Sequence, residues 1–197
     1  MTEPLVFQHG AAATAFDVSL GVWASFEAVM AVRQRLLVGG RAARDPSGIV
    51  LGACIVGSVF AALRLGRDGR VPWPGGGVWP VAVGLALIAV GIGLRAWSIA
   101  TLGRFFQYRV QVQPGHRVVT EGPYRWVRHP SYTGLALVLA GIALATGDVL
   151  SLVAVEILAG VGLTVRIRAE ERALNGALGD RYRRFAEHRK RLLPGIW

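Results

Sequence analysis

The sequence predicts an all-α integral membrane protein of about five transmembrane helices, and three observations predict it. Hydrophobic residues fill 53% of the 197 positions and charged residues only 17%, against roughly 25% charged in a soluble domain. The apolar residues fall in blocks long enough to cross a bilayer, which takes about 20 mostly apolar residues. The basic residues, which give a net charge of +10, sit between and after those blocks. That placement is the excess of Lys and Arg expected of cytoplasmic loops, and it sets aside a nucleic-acid-binding reading of the charge.

Each element follows from local signals. A first helix is expected over 15–37, interrupted by Asp17, Glu27 and Arg33. Asp45-Pro46 is a stop-and-start signal ahead of a second helix over 47–65. The run Pro72-Trp73-Pro74-Gly75-Gly76 breaks the chain before a third helix over 77–100. Trp73 and Trp79 flank its start, as interfacial tryptophans do. A fourth helix is expected over 130–146 and a fifth from 149 past Arg166. Gly147-Asp148 leaves only a tight turn between these two, which makes them an antiparallel hairpin. Gly84, Gly91, Gly93, Gly134 and Gly141 read as packing positions where helix backbones come close.

Cys54 is the single cysteine, so an intrachain disulfide and a cysteine-rich metal site are both excluded. The first ten residues carry no positive charge ahead of an apolar core. A cleavable signal peptide is therefore not expected, and the first helix itself serves as the membrane address. Arginines set the orientation. Arg33, Arg35, Arg41 and Arg44 lie at and after the end of the first helix, five arginines lie in 104–128, and nine basic residues lie from Arg166 onward. An outside N-terminus and a cytoplasmic C-terminus satisfy this distribution, with Arg64, Arg67 and Arg70 the exception. The expected organisation is one compact unit of two parts, helices one to three in 1–101 and a catalytic region in 102–197. Two cytoplasmic pieces, 102–129 and 168–197, bracket the hairpin and so lie side by side.

Chemistry concentrates in those pieces. The stretch 113–132 holds Gln113, His116, Gly122-Pro123-Tyr124 and Val127-Arg128-His129-Pro130-Ser131-Tyr132. Pro130 suits the first position of a helix, whose open N–H groups and positive dipole end suit a carboxylate. Tyr124 and Tyr132 can stack or hydrogen-bond. An ordinary interfacial loop would carry the same residue types. The second segment is Arg166-Ile167-Arg168-Ala169-Glu170-Glu171. Arg166 and Glu170, four apart, share a helical face, although a snorkelling arginine with a solvated acid looks the same in sequence. In the tail, Gly179 can end a helix and Asp180 can cap the next, with Tyr182 and Phe185 on one face. Glu156, Glu27 and Arg95 lie within spans, where ionisable groups are functional suspects. Depth along the helices supplies none of them with a partner.

Gly122-Pro123-Tyr124, Val127-Arg128-His129-Pro130 with Tyr132, then Arg166 with Glu170-Glu171 and Leu174, then Gly179, Tyr182 and Phe185 resemble the isoprenylcysteine carboxyl methyltransferase family and its bacterial relatives. Phospholipid N-methyltransferases share parts of the pattern. The likeness covers about 102–194. It implies an S-adenosylmethionine pocket on the cytoplasmic side, yielding S-adenosylhomocysteine. By position, Gln113, His116, Val118, Val119, Gly122, Tyr124, His129, Pro130 and Tyr132 would line it, with Glu170 and Glu171 closing it. It also implies an Arg166–Glu170 pair at the reaction centre and a lipophilic or prenylated acceptor entering sideways from the bilayer. No metal is called for.

The residues alone leave Arg166 free to hold an acceptor carboxylate by its planar fork and Glu170 free to orient it. They also leave two other readings open. One is a membrane reductase of the sterol-reductase type with a nicotinamide cofactor, for which Arg125, Arg128 and Arg168 would serve the phosphates. The other is a non-enzymatic scaffold or transporter, although no span shows the paired broken helices of a transporter.

Overall fold

The computed structural model describes residues 4–8, 10–38, 45–108, 110, 112, 115 and 117–197. Arg41, Arg44, Gln113 and His116, and the side chain of Arg35, lie outside the described residues. All regular structure within them is helical: α1 (Ala11–Val38), α2 (Pro46–Asp68), α3 (Trp79–Leu102), α4 (Pro130–Ala145), α5 (Val149–Leu178) and α6 (Asp180–Glu187), with three short 3-10 turns. The chain is a multi-pass membrane protein. Four of its helices are long and apolar enough to cross a bilayer, and α4 is a shorter apolar helix. At 1.5 Å per residue the 16 residues of α4 span about 24 Å, short of a hydrocarbon core of about 30 Å. The expected five spans are thus four by length plus this shorter helix.

The ends are set by the expected signals. Asp45 caps α2, its Oδ1 accepting from the Gly48 N–H at 3.2 Å, and Pro46 takes the first helical position. Asp148 caps α5 through the Ser151 N–H at 3.0 Å. Its other oxygen accepts from the Val71 N–H at 2.8 Å and ties the α2–α3 connection to the α4–α5 turn. Gly179, at φ 54°, ends α5 and also precedes α6. The expectation that Asp180 caps α6 is therefore corrected. Asp180 is the first residue of that helix and bonds Arg183 three residues on, at 3.0 Å.

Packing depends on close backbone approach. A methyl group on Gly84 would lie 2.6 Å from the Gly141 carbonyl, one on Gly91 2.6 Å from the Gly134 carbonyl, and the reverse holds for both pairs. α3 and α4 therefore lie backbone to backbone. α2 lies along α5 by a similar device: a methyl on Gly162 would meet Cys54 Cβ at 2.8 Å, and Ser151 Oγ donates to the Ala62 carbonyl at 2.8 Å. Although a tight turn joins α4 to α5, the main partner of α4 is α3 and that of α5 is α2. Ile88, Leu135, Leu139, Ile142, Val155 and Ile167 are buried between these pairs. Val18, Val22 and Val29 of α1 and Ile49, Val56 and Phe60 of α2 are exposed, as lipid-facing residues are in a membrane helix.

Two intramembrane charges that depth alone left unpaired are partners. Arg95 of α3, 4% exposed, donates through Nη2 to Glu27 of α1 at 2.8 Å, through Nε to the other Glu27 oxygen, and through Nη1 to Ser131 Oγ at 2.8 Å. The residues are 68 apart in sequence, so only the helix register reveals the pair. Glu156 stands apart from it, on the exposed side of α5.

Candidate active site

The site forms where α5 outruns the apolar core. Glu170, Ala173, Leu174 and Leu178 follow one another at helical spacing along its final turns, and Gly179 turns the chain so that α6 brings Tyr182 and Phe185 against them. From the other side come Val118, Val119, Tyr124 and the segment 128–132. The C-terminal segment fastens this second side. The Lys190 and Arg191 carbonyls accept from the Arg128 and His129 N–H groups at 2.9 Å each, and the Leu192 carbonyl accepts from Thr133 Oγ1 at 2.8 Å. Those two N–H groups, which precede the first residue of α4, are accordingly taken by backbone.

Between the two sides lies a cleft of about 880 Å³ including its open mouth. One wall is mostly apolar: Leu102, Phe105, Phe106, Val110 and Val112. The facing wall carries Tyr124, Arg128, His129, Ser131, Tyr132 and Glu170. Tyr132 joins two of the expected residues. Its hydroxyl donates to Glu170 Oε2 at 2.8 Å and accepts from Arg166 Nε at 2.9 Å. The expected Arg166–Glu170 pair is therefore relayed through a phenol rather than direct.

Arg166 is 2% exposed and lies behind the cleft. Besides Tyr132, it donates to Asp45, to Ser47 Oγ at 3.2 Å and to the Tyr108 carbonyl at 2.6 Å. The fork expected to grip an acceptor carboxylate is held by Asp45, with the buried guanidinium fully engaged, as its desolvation demands. Burial alone would raise the Asp45 carboxyl. The Ser47 hydroxyl, the Val110 N–H and Arg166 outweigh it and hold that carboxyl well below the usual range. Burial pushes the Tyr124 and Tyr182 phenols above theirs, so both are neutral.

Of the residues expected at a pocket, Val118, Val119, Tyr124, His129, Tyr132 and Glu170 line the cleft. Glu171 does not. It points away, bonded to Arg128 at 2.8 Å, Arg191 at 2.9 Å and His129 Nε2 at 3.4 Å, because one residue along a helix turns the side chain by about 100°. It acts on the site by fixing two residues that do line it. Pro130 is buried as the first residue of α4, and Gly122 packs on Thr101 and Trp97. Neither contributes a lining surface. Gln113 and His116 fall outside the described residues. Sequence reasoning missed Asp45 and Glu27 as counter-ions and Tyr108 as a structural node. The available signal was a charge balance. Glu27 and Asp45, at or within the first two helices, answer Arg95 of α3 and Arg166 of α5.

The sequence pattern of the isoprenylcysteine carboxyl methyltransferase (ICMT) family matches residues 83–176. These include Tyr124, His129, Tyr132, Arg166 and Glu170. The chain is similar to protein-S-isoprenylcysteine O-methyltransferase A of Arabidopsis thaliana, 34% identical over 111 residues, which are 55% of this chain and 56% of that protein. It is similar to the uncharacterized protein YpbQ of Bacillus subtilis (strain 168), 33% identical over 96 residues, 49% of this chain and 56% of that protein. Against protein-S-isoprenylcysteine O-methyltransferase of Xenopus laevis it is 31% identical over 120 residues, 60% of this chain and 41% of the other. The chain spans less than two thirds of the length of each of these relatives. Through the region 83–176, which holds the Tyr132 relay and most of the cleft, the chain is similar to the isoprenylcysteine carboxyl methyltransferase family.

Proposed function

We propose that the chain transfers the methyl group of S-adenosylmethionine to a lipophilic acceptor, isoprenoid or lipid-like, at a carboxylate oxygen and at the cytoplasmic membrane face. The observation that carries this reading is the Arg166–Tyr132–Glu170 relay beside a cleft with one apolar and one polar wall. The chemistry of the lining fits the cofactor. Glu170 offers a carboxylate to its positive groups, the rings of Tyr124, Tyr182 and Phe185 offer faces, and Val118, Val119, Leu174 and Leu178 offer an apolar bed. In this reading Gln113 and His116 complete the binding set, Gly122 and Pro130 shape its backbone, and Glu171 steadies His129. When bound, S-adenosylmethionine supplies a methyl carbon on a positive sulfur, so transfer to a carboxylate makes one C–O bond, breaks one S–C bond and needs no base. The protein's work is alignment and exclusion of water. Arg166 acts by holding Tyr132 and the chain at Tyr108.

The membrane arrangement belongs to the same proposal. α4 crosses with the turn that follows it, giving five crossings, an outside N-terminus and a cytoplasmic C-terminus in the cell membrane. Residues 1–101 form the anchoring part and 102–197 the catalytic part of one compact unit. The acceptor reaches the apolar wall from the bilayer.

Thermal unfolding of the purified protein in detergent, with and without S-adenosylhomocysteine, tests the reading. A ligand at about 100 times its Kd stabilises the folded state by about 2.7 kcal/mol, a shift of several degrees. Tyr124→Ala is expected to weaken that ligand at least about tenfold through loss of a ring contact. A shift with NADPH and none with S-adenosylhomocysteine would replace this reading with the reductase. No shift with either would leave the scaffold.

A further inference from the structure

Tyr108 presents three polar groups, and each is held. Its N–H donates to Gln34 Oε1 at 2.6 Å, its carbonyl accepts from Arg166 Nη2 at 2.6 Å, and its hydroxyl donates to Glu27 Oε2 at 2.8 Å. The neighbours are tied to the same helices. Gln34 Nε2 donates to the Phe106 carbonyl at 3.4 Å, and the Val110 N–H donates to Asp45 Oδ2 at 3.1 Å. Glu27 and Gln34 are seven apart, two turns of α1, so one face of that helix supplies both grips. Glu27 is itself fixed by Arg95, whose guanidinium carbon sits 5.9 Å from the Tyr108 ring centroid.

None of Glu27, Gln34 and Asp45 lines the cleft, whereas Phe105, Phe106 and Val110, in the chain they hold, make up much of its apolar wall. A hydrocarbon has no hydrogen bonds with which to choose its place, so the shape and firmness of an apolar wall decide how it lies. The polar wall, by contrast, is built from α4, α5 and the segment preceding α4, and meets α1 only at second hand, through Arg95 and Ser131. The two walls therefore share Arg166 but differ in that only the apolar one is gripped directly by α1.

We infer that Tyr108 is a positioning residue for the lipophilic acceptor, through which Glu27 and Gln34 of α1 set the apolar wall against which the acceptor's hydrocarbon lies. This rests on the methyltransferase reading of the cleft. The Tyr108 hydroxyl and the Gln34 amide bond none of the residues of the polar wall, which takes the cofactor. α1, outside the family-matched region 83–176, thereby acts on acceptor binding without touching the acceptor.

The test uses the full chain in lipid nanodiscs with S-adenosylmethionine and, as acceptor probe, N-acetyl-S-farnesylcysteine. Tyr108→Phe removes one hydroxyl and keeps the ring, and Gln34→Ala removes two hydrogen bonds from an otherwise unchanged helix. Each variant is expected to raise the acceptor KM by about three- to tenfold, the worth of one hydrogen bond, while the S-adenosylmethionine KM stays within about twofold. A general loosening of the fold would move both. Equal changes in the two constants, or none, would overturn the proposal. Amide exchange is measured in parallel with S-adenosylhomocysteine bound, and it decides the matter if the wild type leaves the farnesyl probe unmethylated. Faster exchange confined to 105–108 in the variants supports the latch, and unchanged exchange, or exchange raised throughout α3 and α4, refutes it. A wild type that does not bind S-adenosylhomocysteine at all fails the methyltransferase reading itself, which is a different result from a wild type that binds it and shows no latch.

Discussion

The α3–α4 pair and the α1 helix are joined to the molecule by opposite means. α3 and α4 meet glycine on glycine at two levels, so closely that a single methyl group on either side would strike a carbonyl at 2.6 Å. α1 is anchored by polar groups: the Arg95–Glu27 pair, the Tyr108 hydroxyl and the Gln34 amide. The difference teaches how work is divided in an apolar solvent. Lipid gives helices no hydrophobic reason to associate, so dispersion at short range or hydrogen bonds must serve. Dispersion at backbone distance gives a rigid frame, and α3–α4 carries Ser131 and Tyr132 on such a frame. A few charged hydrogen bonds give an attachment that a single substitution can release, and α1 holds the acceptor wall in that way.

The sharpest way to break the comparison is Gly91→Val. The added atoms have no space against Gly134 and Val138, so a loss of about 3 kcal/mol or more, or failure to fold, is expected in detergent unfolding assays. Near-wild-type stability would show that the helices can separate without cost. Next comes Glu27→Gln, which leaves the buried Arg95 without its counter-ion. About 2 kcal/mol of destabilisation is expected, and much of it should return in the double variant Glu27→Gln, Arg95→Met, where no charge remains to be satisfied. A double variant worse than the single would assign Arg95 a role beyond pairing.

A third prediction concerns pH. Asp45 has a lowered folded-state pKa, so the folded chain releases its proton more readily than the unfolded one. Its contribution is fully present above about pH 4 and is lost as pH falls through the depressed value. Asp45→Asn should therefore be less stable than wild type at pH 7, and the gap should narrow on acidification below pH 4. A gap that stays constant across that window would remove Asp45 as the counter-ion of Arg166. The smallest effect is expected at Gly93→Ala, two residues from Gly91 in the same helix. A methyl group there meets nothing within 4 Å, so the change should lie within about 0.5 kcal/mol.

Much of the fold was legible because punctuation in this chain is strong. Asp45-Pro46, the run 72–76, Gly147-Asp148 and Gly179 each mark an end that the structure keeps to within a few residues. The meeting of 128–132 with the end of α5 was legible too, because a tight turn between two apolar helices returns the chain to its starting side. What sequence could not show is which charges meet. Glu27 and Arg95 were each left without a partner, since depth in a membrane depends on tilt and on where each helix begins. Asp45 was visible as part of a helix start signal and caps that helix, yet its second oxygen neutralises Arg166 from 121 positions away. The same blindness made Arg166 look available to a substrate. Glu171 differs from Glu170 for a simpler reason, since Arg128, Arg191 and His129 draw its carboxylate away from the cleft.

The carbonyls of Lys190, Arg191 and Leu192, which clasp Arg128, His129 and Thr133 from some sixty positions downstream, carry a consequence for biosynthesis. Every bilayer-crossing helix can be inserted before the ribosome has released that clasp. A nascent or prematurely stopped chain ending near residue 188 would therefore occupy the membrane normally and yet present a half-made reaction chamber. Quality control that inspects insertion alone would pass it.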